Sequence, residues 1–501
     1  MSIFEKEVIR PTINSIFEFS YRYAFCIEDE FYTYKQFGEY ISKIRIAIQE
    51  RKSTQKIIGL VVNDDISTYA SIFALWLEGK SYVPLHPTQP IGRCNDIINQ
   101  VETSLILDSS ENTRYSNDIV LNTLKLKYTH DCLDFTCIYS DKELAYILFT
   151  SGSTGTPKGV MISRENVGSF MDSFWKSGIN INNEDRCLQC FDLTFDVSVQ
   201  SYLVSWTKGA CLFTVPHNQI KYVYISGLIE EHKITFGAMA PSMLRYMKPY
   251  FDEIDASSLK TCILTAEACP LSLMEDWYKC AINTEIYDFY GPTEATIYCT
   301  YYKLTRNGEN KSLNGIISIG KPMDNVISII VDENDNIVPS GEKGELCVSG
   351  SQVTPGYWKN PLRNAEAFFE KEISEKIQRF YRTGDLCYQE SDGDIMYSGR
   401  LDHQAKIQGY RVELGEIEFN ARIFLKDKNA VAIAFENNAG FTEIALFIES
   451  EIFNDNDLQK YLRSKLPAYM LPTKLYFVPM FPLNSNDKID KNKLKALIIN
   501  E

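Results

Sequence analysis

The sequence predicts an α/β protein: a large N-terminal part of stacked α/β subdomains, a β-rich subdomain at its end, and a small α+β C-terminal domain. Three observations predict it. Short β-branched runs alternate with longer helical patterns through the first four hundred residues, as strands and crossover helices of a largely parallel sheet do. From about residue 314 the pattern changes to short strands and tight turns, and the last hundred residues form a separate α+β pattern. At 501 residues the chain outgrows one core, and about 150 residues per domain suggests roughly three compact units. The borders are drawn as 1–401 for the core, with the β-rich part at about 314–401, and 402–501 for the small domain.

In chain order, "IIGLVVN" (57–63) reads as a strand, "ISTYASIFALWLEG" as a helix, "SYVPL" as a strand, "IGRCNDIINQV" as an amphipathic helix and "TSLILD" as a strand. A second set runs from "YILFT" through "ITFGAMAPSMLRYM", "CILTA" and "TEIYDFY". The segments "GIISIG", "VISIIVDENDNIVP" and "GELCVSG" are the β-rich part, with "DENDN" as a hairpin turn. Near the end, "VAIAFENNAGFTEIALFIES" predicts two strands around an Asn/Gly turn, and "NDLQKYLRSKL" a helix.

Composition narrows the function. A net charge of -15 argues against nucleic acid or an anionic membrane surface as partner, since both need a basic footprint. No apolar run approaches the ~20 residues that span a bilayer, and the N-terminus mixes charges of both signs, so the expectation is a cytoplasmic chain. Thirteen cysteines lie scattered in apolar segments, as reduced, packed thiols do. The close pair Cys187 and Cys190 has no second pair at a matching spacing, so it reads as structural and not as half a zinc site.

The chemistry begins at "LAYILFTSGSTGTPKGVMIS", a strand running into residues rich in Ser, Thr, Gly, Pro and Lys, with a helix starting at "SRENVGSFMDSFW". Glycines let the backbone approach an anion, hydroxyls and amides donate to phosphate oxygens, and Lys158 adds charge. The stretch fails the strict P-loop template, because Pro157 and Gly159 flank Lys158.

Six further segments follow in order: "TFDVSV" (194–199), "YGPTEAT" (290–296), "GELCVSG...GYWKNP" (344–361), "YRTGDL" (381–386), "SGRLDHQAKIQGYRVELGEIE" (398–418) and "NDKIDKNKL" (486–494). Together with "TSGSTGTPKGV" they resemble the motifs of the adenylate-forming ligases. The earlier "EGKSYVPLHPTQP" resembles the amino-acid-activating branch, that is, nonribosomal peptide adenylation domains and D-alanine–carrier protein ligases. The resemblance implies an ATP-dependent, AMP-forming enzyme that uses Mg²⁺ and whose small C-terminal domain is mobile.

Residue by residue, the resemblance makes Thr150, Ser151, Gly152, Ser153, Thr154, Gly155 and Lys158 the loop that handles pyrophosphate. Glu267, Phe289, Tyr290 and Gly291 fall at nucleotide-binding positions, with Tyr290 stacking on adenine. Thr293 would contact the α-phosphate, and Glu294 would hold Mg²⁺, which takes one or two carboxylates and keeps its waters. Asp385 would accept the two ribose hydroxyls, and Arg400 would contact the nucleotide. Asp196 stands where the family binds a substrate's α-ammonium; its alternative is an Asp capping a nearby helix. Val197, Gln200, Ala238, Ile263, Thr265, Phe289, Ile297 and Tyr298 would line the side-chain pocket, which suits a neutral, small to medium amino acid. Lys488 resembles the catalytic lysine, although Asp487 precedes it where the family has Gly. Asp402 resembles the hinge and Gly409 the thiol-tunnel glycine, with Gln408 in place of the usual Arg.

The resemblance implies activation of an amino acid as aminoacyl-AMP and its transfer to the phosphopantetheine thiol of a separate carrier protein. Two rivals remain open: an acid–CoA ligase, disfavoured by Asp196, and a nucleotide-binding regulator without turnover, suggested by Asp487 and Gln408.

Overall fold

The computed structural model describes residues 1–127, 140–152, 156–306, 308–401, 404–426, 428–450, 455–482 and 489–499. It divides into two compact units. The first comprises Met1–Pro87, Val101–Leu148 and Gly159–Leu401; the second comprises Thr88–Gln100, Phe149–Lys158 and Asp402–Glu501.

In the first unit a nine-stranded sheet has six central parallel strands: Glu285–Tyr290, Thr261–Leu264, Phe236–Met239, Arg186–Gln189, Cys211–Thr214 and Tyr23–Ile27. Antiparallel strands close its two edges. A seven-stranded sheet carries Leu144–Thr150, Ser81–Leu85, Ile57–Val61, Ile106–Asp108 and Val120–Asn122 in parallel. These strands and the helices Ile66–Leu77 and Ile91–Val101 fall where the apolar periodicity put them. The α/β class is borne out.

Two helices are buried all round. Every residue of Ile66–Leu77 and of Asp196–Trp206 is buried, which an amphipathic surface helix never shows. Their rings interlock: Tyr202 stacks on Trp206 with centroids 4.5 Å apart, Tyr69 and Phe73 meet Trp206 edge-on, and the Tyr202 and Tyr82 hydroxyls lie 3.0 Å apart. At roughly 3 kcal/mol for burying one such ring, this cluster holds the second helix firmly in place.

The structure corrects the phosphate-loop segment in one respect. Between the loop and the helix Arg164–Lys176 lies a further strand, Lys158–Ser163, hydrogen-bonded within the seven-stranded sheet. Val160 and Ile162 bury on the sheet, and Ser163 then caps the helix by accepting from the Asn166 amide. A strand, and not the helix Arg164–Lys176, therefore directly follows the loop segment.

The β-rich part is a five-stranded antiparallel sheet of Val326–Val331, Gly344–Gly350, Phe368–Ile373, Lys376–Gln389 and Ile395–Arg400. The "DENDN" turn forms as expected, with Asp332 Oδ1 accepting from the Asn334 and Asn336 amides. The second unit holds the sheet Ala430–Glu436, Thr442–Glu449 and Lys474–Val478, the helices Leu414–Leu425 and Asp455–Lys465, and a hairpin of Gln404–Ile407 with Tyr410–Glu413. No helix among the described residues is long and apolar enough to cross a membrane. All described cysteines are free and all but Cys211 are buried; Cys187 and Cys190 belong to two different packing clusters.

Gly320 joins the large sheet region to the antiparallel one. It pairs with Ile395, has φ +74°, and a Cβ there would meet the Tyr301 carbonyl oxygen at 1.8 Å. Gly320→Ala is expected to cost about 2 kcal/mol or more, read as a lower urea midpoint of unfolding.

Candidate active site

In the first unit the site is built on the turn after the strand Glu285–Tyr290 and on the first turn of the helix Asp196–Trp206. Asp196 is the first residue of that helix. The cap position belongs to Phe195, whose side chain makes no capping bond, so Asp196 is not the helix cap that its sequence alternative allowed. It is buried, and among the described residues no Lys, Arg or His pairs with it. Burial pushes its carboxyl from 3.8 up to about 6; the Thr293 hydroxyl and the helix's first amides pull it back, and the charge of Glu294 pushes it further up.

Gln200 is one helical turn on, on the same face. Its Oε1 accepts from the Tyr298 hydroxyl at 3.4 Å, while its Nε2 is buried with no hydrogen-bond partner among the described residues. The Tyr146 hydroxyl is likewise buried without a partner, and it feels the charge of Asp196. Val197, Ala238, Ile263, Phe289, Ile297 and Tyr298 all belong to one buried cluster, and Thr265 hydrogen-bonds Tyr298. The pocket residues named from the sequence thus lie in the core of the first unit, and Phe289 sits among aromatic neighbours, its ring 5.3 Å from that of Tyr301.

The nucleotide positions form a second group in the same unit. The Tyr290 hydroxyl donates to Asp385 Oδ2, and Arg400 Nη1 donates to Asp385 Oδ1 at 2.9 Å. Asp385 is buried, so both carboxylate oxygens face donors. Gly291 lies so close to the next loop that a Cβ would meet the Ile297 carbonyl oxygen at 2.4 Å. Glu294 is wholly buried and accepts from the Tyr357 hydroxyl at 2.6 Å. Glu267 caps a different helix by accepting from the Ser242 amide at 2.8 Å.

The turn itself is strained. Thr296 and Ile297 have φ of 56° and 73°, unusual for β-branched residues. The wholly buried Gln352 holds them: its carbonyl accepts from Thr296 Oγ1 at 2.6 Å and its Nε2 donates to the Tyr298 carbonyl at 2.7 Å. Strain of about 1–3 kcal/mol per residue persists only where surroundings enforce it, and such enforcement clusters at functional sites.

In the second unit the phosphate loop meets carboxylates. Lys158 pairs with Glu413 at 3.0 Å, and the Gly152 amide donates to Glu416 Oε2 at 3.2 Å. Arg93 also donates to Glu416, and Ser151 Oγ bridges the Arg411 carbonyl and the Glu413 amide, each at 3.0 Å. A Cβ on Gly152 would meet the Thr156 carbonyl oxygen at 2.0 Å, and Thr150 Oγ1 is buried without a partner among the described residues. Two donors of the loop, Lys158 Nζ and the Gly152 amide, are thus held by carboxylates of the chain itself. Gly409 and Gln408 form the hairpin turn, both at positive φ; Gln408 is there a turn residue.

Lys488, Asp487, Asp402, Ser153, Thr154 and Gly155 lie outside the described residues. Sequence reasoning passed over Tyr357, Gln352, Arg93, Glu413, Glu416 and Tyr146. Tyr357, Glu413 and Glu416 stood inside quoted motifs; Gln352 and Arg93 carried no signal at all.

The family profile described as AMP-binding enzyme matches residues 18–358. Zwittermicin A synthase ZmaJ from Bacillus cereus is 31% identical, over 99% of this chain and 94% of that protein. Tyrocidine synthase 3 from Brevibacillus parabrevis is 30% identical over 94% of this chain, which spans only 7% of that much longer protein. Tyrocidine synthase 1 from the same organism is 29% identical over 96% of the chain, which spans 45% of its length. Among solved structures, the adenylation domain AlmE of Vibrio cholerae, in complex with glycyl-adenosine-5'-phosphate, superposes with a TM-score of 0.87 over 98% of both chains at 22% identity. That likeness establishes the fold. The chain belongs to the AMP-binding enzyme family.

Because the carboxyl of Asp196 rises to about 6 on folding, its ionisation works against the folded state. Stability is lost as pH climbs from about 4 through 6, by an amount on the order of 3 kcal/mol. Asp196→Asn lacks that loss. It is expected to unfold at a higher urea midpoint than wild type at pH 7.5, with the difference shrinking at pH 4.5.

Proposed function

We propose that the chain activates an amino acid as aminoacyl-AMP, releasing pyrophosphate, and passes the aminoacyl group to the phosphopantetheine thiol of a separate carrier protein. The observation that carries this reading is Asp196, a buried carboxylate with no cationic partner among the described residues. A substrate α-ammonium supplies the missing charge. The similar AlmE domain, solved with glycyl-adenosine-5'-phosphate, supports the same reading.

The substrate carboxylate attacks the α-phosphorus of ATP and pyrophosphate leaves; the thiol sulfur then attacks the acyl carbon and AMP leaves. Tyr290 stacks on adenine and Asp385 takes the ribose hydroxyls, exchanging the bonds it now makes to Tyr290 and Arg400. Thr293 contacts the α-phosphate. The loop of Thr150, Ser151, Gly152 and Lys158 takes the leaving pyrophosphate once Glu413 and Glu416 release it. Glu294 offers one hard carboxylate, the donor type that Mg²⁺ prefers, and Tyr357 orients it. Bound there, the ion would offset charge on the phosphates. Lys488 bridges the substrate carboxylate and the nucleotide, and rotation about Asp402 exchanges it for Gly409 before the thiol step.

The side chain of the substrate is neutral and presents a hydrogen-bond acceptor, because Gln200 Nε2 and the Tyr146 hydroxyl are buried donors that a ligand would satisfy. Buried free thiols suit a reducing compartment, which supports the cytoplasm.

Pyrophosphate exchange across a panel of amino acids and other acids tests the reading. Asp196→Ala is expected to weaken activation by roughly 3–5 kcal/mol, and Lys488→Ala to abolish exchange. Exchange only with acids that lack an amino group would favour an acid–CoA ligase, and ATP binding without any exchange a regulator. Transfer to an added phosphopantetheinylated carrier, read by mass, tests the second step.

A further inference from the structure

Three parallel strands of the first unit end close together. His86 directly follows Ser81–Leu85, Asp192 lies three residues beyond Arg186–Gln189, and His217 three beyond Cys211–Thr214. Carboxyl ends of parallel strands are where α/β sheets gather ligands. One donor atom from each of these side chains lies within 4.8 Å of the others. His86 Nε2 is 2.6 Å from Asp192 Oδ2, and the two imidazole centroids are 5.4 Å apart.

We propose that His86, Asp192 and His217 bind one zinc ion, with a fourth position left to water. Two imidazoles and one carboxylate are a donor set that zinc accepts, at distances of about 2.0–2.2 Å. Ligands around a tetrahedral ion stand about 3.4 Å apart. Small side-chain rotations reach this: the His86–Asp192 pair opens and the wider pairs close.

The supporting contacts are those of a ligating set. Asp192 Oδ1 is tied by the Thr194 amide at 2.8 Å and the Thr194 hydroxyl at 2.7 Å, which leaves Oδ2 directed at the cluster. His217 Nε2 lies 3.4 Å from the Val62 carbonyl, the kind of outer partner that fixes a metal-binding imidazole.

The ion would tie the seven-stranded sheet, through His86, to the nine-stranded one, through Asp192 and His217. It would also fix the segment that leads from Asp192 to Asp196. This is independent of which substrate the enzyme activates.

The test uses the full chain, stripped with chelator, dialysed against zinc and then against metal-free buffer. The expected result is about one zinc retained per chain, a higher melting temperature on zinc addition, and at least tenfold weaker binding in His86→Gln and in His217→Gln. The chelator-stripped variants should melt close to the stripped wild type, which separates lost binding from lost folding. His232→Gln, altering the other cluster of Cys26, Asp29 and His232, should bind as wild type does. No retained zinc, or binding unchanged in both the His86 and His217 variants, overturns the proposal and leaves a hydrogen-bonded cluster.

Discussion

A carboxylate at the head of a wholly buried helix is the constraint around which the first unit is arranged. Asp196 could be relieved by one more turn of exposure, yet the helix it begins is enclosed by Tyr69, Phe73 and Trp76 from the neighbouring buried helix and by Tyr82 from the seven-stranded sheet. The packing that makes the helix immovable also denies the carboxylate solvent. Its ionisation therefore costs stability until a cation arrives, and a ligand that brings one gains what the free protein lacks.

The second constraint is backbone strain. Thr296 and Ile297 hold left-handed geometry between Glu294 and Tyr298. Gln352 clamps both sides of that turn, and Tyr357 fixes Glu294 on it. Glu294 and Tyr298 are thus positioned by Tyr357 and Gln352, which lie far from them in the chain.

The phosphate loop is arranged differently. Two of its donors, Lys158 and the Gly152 amide, are held by Glu413 and Glu416 of the same unit. The strand Lys158–Ser163, and not a helix, directly follows it.

Much of this was legible in the sequence because it is local. Alternation of β-branched runs and helical patterns marked the parallel strands, and ordered motifs carried the family, Asp196, Tyr290, Glu294 and Asp385. What stayed hidden was created by residues distant in the chain. Gln352 closes on Thr296 from 56 positions away, Glu413 reaches Lys158 from 255, and His86, Asp192 and His217 share no spacing that a metal motif would show. The strand Lys158–Ser163 was missed because Lys and Gly open it, and only pairing within the sheet makes it regular. Sequence by itself determined the family and named the candidate side chains. Tertiary structure decided their electrostatic state, because burial and the absence of a partner are properties of the packed molecule and of no single segment.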